Sequence, residues 1–341
     1  MTKFFSLSAL LIIVICGLFS HSSFAQVKRL STSEGLSQSY VNTMLIDNSG
    51  YLWLSTEGGL NRYDGYEVVH IKGPNGELED AIIDRIYQDP QGYIWIASLQ
   101  AGLFRYDPST DSYQQFIAKP TTEEQIFIES VFSMVAVDDK TLWLGRGWDF
   151  AKLDLETQQV TSIFEIPDRV KSSVIRELYP YQGYIFMGTS NGAFVYEIAS
   201  GQVRKLEHLS QAPTHMYQNY VKSFAVIDEH TLLVGAVRGL YEVDISNLPE
   251  MFNTPEVQFK NKTLISDLNI WEIIPQNSTI TLGTDKGLFN FTRATGDLVK
   301  STRLKDNGYT LADTSIIDIV KDRSGGMWLA TKNDGAFLSL V

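Results

Sequence analysis

The chain is poor in reactive side chains. Of its 341 residues one is cysteine, Cys16, and it sits in an N-terminal stretch unlike the rest. In residues 1–25 Lys3 is the only charge, Leu7 to Phe19 is largely apolar, and Ser23-Phe24-Ala25 places small residues at the third and last positions before a cut. That pattern is a secretory signal peptide. The competing reading is an uncleaved membrane anchor, but the apolar run is shorter than the ~20 residues of a spanning helix. Bulky Ile15 before Cys16 argues against a lipid attachment site. Cleavage after Ala25 would remove the cysteine, which excludes disulfides and thiolate chemistry from the exported part.

Positive charge is also scarce. The formal net charge is −12; loss of Lys3 leaves 27 basic against 40 acidic residues, or −13. Such a surface repels phosphate backbones, so nucleic acid is excluded as a partner. Four histidines lie beyond the leader, His70, His208, His215 and His230, with no HExxH and no metal-ligand spacing, so no metal is expected. There is no Gly-x-Ser-x-Gly elbow, phosphate-binding loop or dinucleotide fingerprint, and no cofactor or catalytic residue is assigned. Amphipathic runs of helical length are missing as well, which excludes helical repeat arrays.

What the chain has is aromatic residues, 12%, apolar residues, 44%, and a repeat. The clearest copy is DNSGYLWLSTEGGLNRY at 47–63. Asp47 to Gly50 reads as a tight turn between the strand VNTMLI and the strand YLWLST, and Gly58-Gly59 turns the chain into a third strand. Six further copies place Trp95, Trp143, Phe186, Leu233, Thr281 and Trp328 in register with Trp53, at spacings of 42, 48, 43, 47, 48 and 47 residues. This is the period of propeller blades. Runs such as YEVVHIK and YQQFIA supply a fourth strand per period, as a blade requires.

The expected fold is therefore all-β, a seven-bladed β-propeller of four-stranded blades over residues 26–341 as one domain. Trp53, Trp95, Trp143, Phe186 and Trp328 are expected between blades, as core. The chain ends at Val341 after three strands of copy seven, and Val27 to Leu30 precedes copy one. That arrangement predicts a ring closed by the N-terminal strand completing the last blade.

In a propeller the loops between second and third strands, and those between blades, gather at one mouth of the axial channel. The mapping puts Arg146, Trp148, Asp149, Asn191, Arg238, Asp285, Lys286, Lys332, Asn333 and Asp334 on that rim as candidate ligand-binding residues. Arg and Lys suit a carboxylate, a sulfate or a uronic acid, and Trp148 could stack on a sugar ring. Ordinary solvated loop residues are the alternative account. Trp271, at the start of a first strand, is weaker evidence for a site than Trp148, because the core could hold it as well.

The lead Gly35-Leu36-Ser37 with VNTMLIDNSGYLWLSTEGGLNRYDG resembles the two-component regulator propeller repeat, with its Asp-x-x-Gly turn, Gly-x-Leu-Trp strand, Thr-x-x-Gly-Leu loop and Arg-Tyr-Asp ending. Copies one and two match it closely, copy seven fairly, and copies three to six in part. The resemblance implies a periplasmic or extracellular sensory propeller of a bacterial signal-transduction system, without catalysis of its own. Its partners would be a small-molecule or saccharide ligand, or a protein or signalling output domain such as a histidine kinase or diguanylate cyclase. Nothing follows copy seven here, so the chain reads as the input part of a longer protein or a stand-alone exported relative. Contact with a membrane would run through a missing C-terminal part or an uncleaved signal. Two alternatives remain at this point, an exported lyase or hydrolase of the streptogramin-lyase type and a protein-binding scaffold.

Overall fold

The computed structural model describes residues 28–99, 101–117, 130–147, 149–165, 174–206, 220–254, 258–301, 305–306, 309–310 and 314–339. Residues 1–25, expected to be a signal peptide, and Trp148, His208 and His215 lie outside the described residues.

Copy one folds as four antiparallel strands, Val41–Ile46, Leu52–Thr56, Gly59–Tyr63 and Val68–Ile71, hydrogen-bonded in that order. The turn follows from its side chain. Asp47 Oδ1 accepts the backbone N–H of Ser49 and of Tyr51, while Gly50, at φ 91°, takes the left-handed conformation that closes it. Five more four-stranded sheets repeat this order along the chain. Their innermost strands are Ile83–Gln88, Val131–Ala136, Ile175–Tyr181, Val221–Asp228 and Ile270–Pro275. The seventh blade has three strands of its own, Ile316–Lys321, Met327–Thr331 and Ala336–Ser339. Its fourth is Lys28–Leu30, which pairs antiparallel with Ala336–Ser339, Leu30 opposite Ala336. The ring is closed by the N-terminal strand, as the sequence implies, and the innermost strands pack in succession around the axis.

The registered residues lie on the second strand of every blade and are buried: Trp53, Trp95, Trp143, Phe186, Leu233, Thr281 and Trp328. Each aromatic packs against the following blade. Trp53 joins Ile83, Ile96 and Phe104, Trp95 joins Val131 and Leu144, and Trp328 closes the ring against Val41 and Leu54. Burial of such a ring is worth a few kcal/mol. In the first two blades the turn aspartate also accepts the indole N–H, with Trp53 Nε1 and Trp95 Nε1 each 2.8 Å from an oxygen of Asp47 and Asp89. Thr281 keeps the position without a ring, because Gln276 donates to its hydroxyl and it donates to Asn290.

A short α-helix, Leu248–Asn253, lies between the third and fourth strands of blade five and buries Leu248, Met251 and Phe252, with Phe252 against Tyr184.

Candidate functional site: the axial channel

Every innermost strand carries the same irregularity. Its first residue pairs with the second strand, its third residue pairs one step further on, and its second residue is skipped. In blade one Val41 pairs Thr56 and Thr43 pairs Ser55, with Asn42 left between them. The same break falls at Ile83/Arg85, Val131/Ser133, Ile175/Glu177, Val221/Ser223, Ile270/Glu272 and Ile316/Asp318. A bulge re-aims side chains that an unbroken strand would alternate between its faces. Here it aims two consecutive residues per blade toward the axis.

The bulge also explains a set of glycines. Gly145 and Gly235 pair with the residue that follows it, Ser133 and Ser223. A Cβ on Gly145 would sit 2.2 Å from Ser133 Oγ and 2.8 Å from the carbonyl oxygen of Ile175 in the next blade. Close approach of neighbouring blades around the channel requires the missing side chain.

The skipped residues form an upper layer of the channel, Asn42, Asp84, Phe132, Arg176, Lys222, Trp271 and Ile317. Their successors form a lower one that includes Thr43, Arg85, Glu177, Glu272 and Asp318. A cavity of about 310 Å³ is lined by both layers together with Tyr40, Tyr220, Ser315 and Lys332. It opens at the end where innermost strands begin. A second cavity of about 300 Å³ lies on the other side and shares Thr43, Arg85, Glu177, Glu272 and Asp318 with the first. The lower layer is thus a partition across the axis.

Part of that partition is internally matched. Arg85 Nη2 donates to Glu177 Oε2 at 2.8 Å, and Asp318 Oδ2 accepts from the Thr43 hydroxyl at 3.0 Å and from the Met44 N–H at 2.6 Å. Burial pushes Glu272 well above the carboxylate range, with Asp318 and Glu177 adding to the shift and Arg85 opposing it. Glu177 is raised chiefly by burial, against the pull of Arg85.

The upper layer is only partly satisfied. Arg176 lies over the Phe132 ring at 4.4 Å and reaches Asp84 Oδ1 at 3.5 Å. Among the described residues Asp84 Oδ2, Arg176 Nε and Trp271 Nε1 are buried with no hydrogen-bond partner. Asp84, its side chain 7% exposed, is raised to about 6 by burial, the Arg176 guanidinium opposing. Lys222, its ammonium 5.4 Å from the centre of the Trp271 ring, is lowered to about 8 by burial and then by Arg176. Trp271 is half-buried: it lines the cavity and also packs against the hydrophobic cluster that joins blades seven and one.

Of the rim residues expected from the sequence, Lys332 lines this cavity. Arg146 and Asp149 form a bidentate pair with both contacts at 2.7 Å. Asn191 donates its N–H to Thr189 Oγ1, and Arg238 stands 3.6 Å from Asp267. Asp285 accepts from Asn269, Lys286 reaches the Asp267 carbonyl, and Asp334 receives the Arg29 side chain at its carbonyl. Asn333 is exposed. The sequence reasoning missed the channel residues one level below. Their signal is the triplet opening each copy, an Ile or Val followed by two residues that differ from copy to copy: Asn42-Thr43, Asp84-Arg85, Phe132-Ser133, Arg176-Glu177, Lys222-Ser223, Trp271-Glu272 and Ile317-Asp318.

Comparison with known proteins bears out the resemblance. The family model of the two component regulator propeller matches residues 35–58, 76–100 and 310–333, which are copies one, two and seven. No curated protein matches the sequence. Among solved structures, the extracellular domain of a hybrid two component system from B. thetaiotaomicron aligns with a TM-score of 0.70 at 22% identity, over 92% of this chain and 42% of that one. A second such domain from the same organism gives 0.72 at 22%, over 93% and 40%. A streptogramin B lyase structure gives 0.66 at 10%, over 92% and 97%. The chain spans about two fifths of the length of the two extracellular domains. At these identities the likeness speaks for the fold.

Proposed function

We propose that this propeller is the sensory input of a bacterial signal-transduction system, working outside the cytoplasm, periplasmic or secreted. It recognises a small ligand in the axial cavity and passes the occupied state to a signalling partner or to an output region of the same protein. The observation that carries the reading is the upper channel layer. Three polar atoms there are buried without partners, and burying a polar group unpaired costs about 1–3 kcal/mol each. Ordered water or a bound molecule would satisfy them. The family-model matches and the extracellular-domain neighbours support a role as input and give no support to catalysis. No activity carries over from the lyase at 10% identity.

The test is a thermal-shift screen of the purified chain against neutral sugars, uronic acids, amino acids and organic acids, with Trp271→Ala as control. A ligand at a hundredfold its Kd adds about 2.7 kcal/mol of stability. A shift with at least one class that is lost in Trp271→Ala is expected. No shift with any class would contradict direct sensing by this cavity.

A further inference from the structure

We propose that the axial cavity takes a small carboxylate, its anionic group held between Lys222 and Arg176 with the Trp271 indole N–H as third donor. The proposal rests on the sensory reading and names the ligand chemistry of the same site.

A chain of net charge −12 places Lys222, Arg176, Arg85 and Lys332 around one cavity together with Asp84, Glu177, Glu272 and Asp318, and of those carboxylates Asp84 alone belongs to the upper layer. Among the described residues no hydrogen bond or ion pair engages the Lys222 ammonium, whose close neighbour is the face of Trp271. Arg176 reaches Asp84 through Nη1 at 3.5 Å, hydrogen-bonds the Tyr220 side chain and lies over Phe132, while its Nε is without a partner among the described residues. Two cations close enough to repel one another, with an unpartnered indole donor beside them, form a receptor for an oxyanion. The groups facing Lys222 are Arg176 and Arg85, which oppose its charge, and Asp318 and Glu272 of the partition, which favour it. Glu272 is held toward its neutral form, and Asp318 is already taken by Thr43 and Met44. The balance leaves Lys222 less readily charged than a free lysine.

Shape and the remaining atoms narrow the class. About 310 Å³ is at the small end of ligand sites, which run from about 300 to 1,000 Å³, and suits a single compact molecule. Phe132 and Trp271 offer flat apolar walls. Asp84 Oδ2, buried and unpartnered, accepts a hydroxyl or amine from the ligand body.

The test is calorimetric titration of the full chain with benzoate, succinate and galacturonate, each beside its uncharged counterpart, benzamide, succinamide and galactose. At least one carboxylate is expected to bind at least ten times more tightly than its counterpart, with proton uptake at pH 9, where the anion returns the proton that Lys222 has lost. Lys222→Met is expected to lower that binding at least tenfold and to melt no lower than the wild type, because it removes a buried charge without emptying the core. Unfolding therefore cannot mimic the loss. Equal binding of the uncharged counterparts, undiminished binding by Lys222→Met, or no binding of any carboxylate would each overturn the proposal. If galactose alone binds and Trp271→Ala abolishes it, the sensory reading stands and the carboxylate inference falls.

Discussion

Two rings of side chains circle the same axis, and they repeat in different ways. On the second strands the residue type repeats: tryptophan in four blades, with Phe186, Leu233 and Thr281 substituting, all buried between sheets. On the first strands the geometry repeats, one bulge per blade at the same place, while the residues that it presents run from Asp84 to Phe132 to Lys222. A position whose neighbours are the same in every blade needs the same residue in every blade. A position that faces the shared axis meets a different opposite number each time, and its identity is free to follow a ligand. Repetition of residue type marks the scaffold, and repetition of geometry without type marks the proposed site.

The largest expected difference between the rings is in stability. Trp95→Ala should cost about 3–5 kcal/mol, the usual range for deleting a buried large aromatic. Phe132→Ala, which opens onto existing cavity space, should cost less than Trp95→Ala. Urea unfolding of both variants compares them; equal losses would erase the distinction between scaffold and site.

A second difference is in pH dependence. Asp84 holds its proton up to about pH 6 when folded, against an ordinary value of 3.8, so between those values the folded state binds a proton that the unfolded chain has released. The stability linked to Asp84 is present below pH 4 and is lost as pH rises through 6, a change on the order of 2–3 kcal/mol. Wild type should lose stability relative to Asp84→Asn across that window in unfolding experiments at stepped pH. A flat difference would show that the upper layer does not strain this carboxyl.

A third, smaller effect sharpens the account of the scaffold itself. The indole N–H of Trp95 donates to Asp89, whereas that of Trp143 has no partner among the described residues. Trp95→Phe leaves a buried aspartate oxygen unpaired and should cost about 1–2 kcal/mol more than Trp143→Phe. Equal costs would mean that the turn aspartate contributes nothing to the tryptophan it meets.

The same contrast explains how much was legible in the sequence. The ring, its blade number and its closure were open to reading because Trp53 and its equivalents recur, and because Lys28–Leu30 stands where a fourth strand was missing. The candidate site was only partly legible. Loop residues such as Arg238 and Asp285 were placed on the rim by topology, which locates a loop but not its internal partners, Asp267 and Asn269. From the sequence Trp271 reads equally well as core, because strand alternation alone does not foretell the bulge that brings it to the cavity. Lys332 was reached from either direction.

The most direct test of the central claim, that the channel layer is kept for a ligand at the expense of stability, is the urea midpoint of Lys222→Met at pH 7 without ligand. Burial and Arg176 lower the Lys222 pKa from 10.5 to about 8, so its charged form at neutral pH is the strained one. Relieving that strain should raise stability by about 1–3 kcal/mol. A midpoint lowered as far as that of a scaffold variant would show that Lys222 is held by the fold and not reserved for something the fold binds.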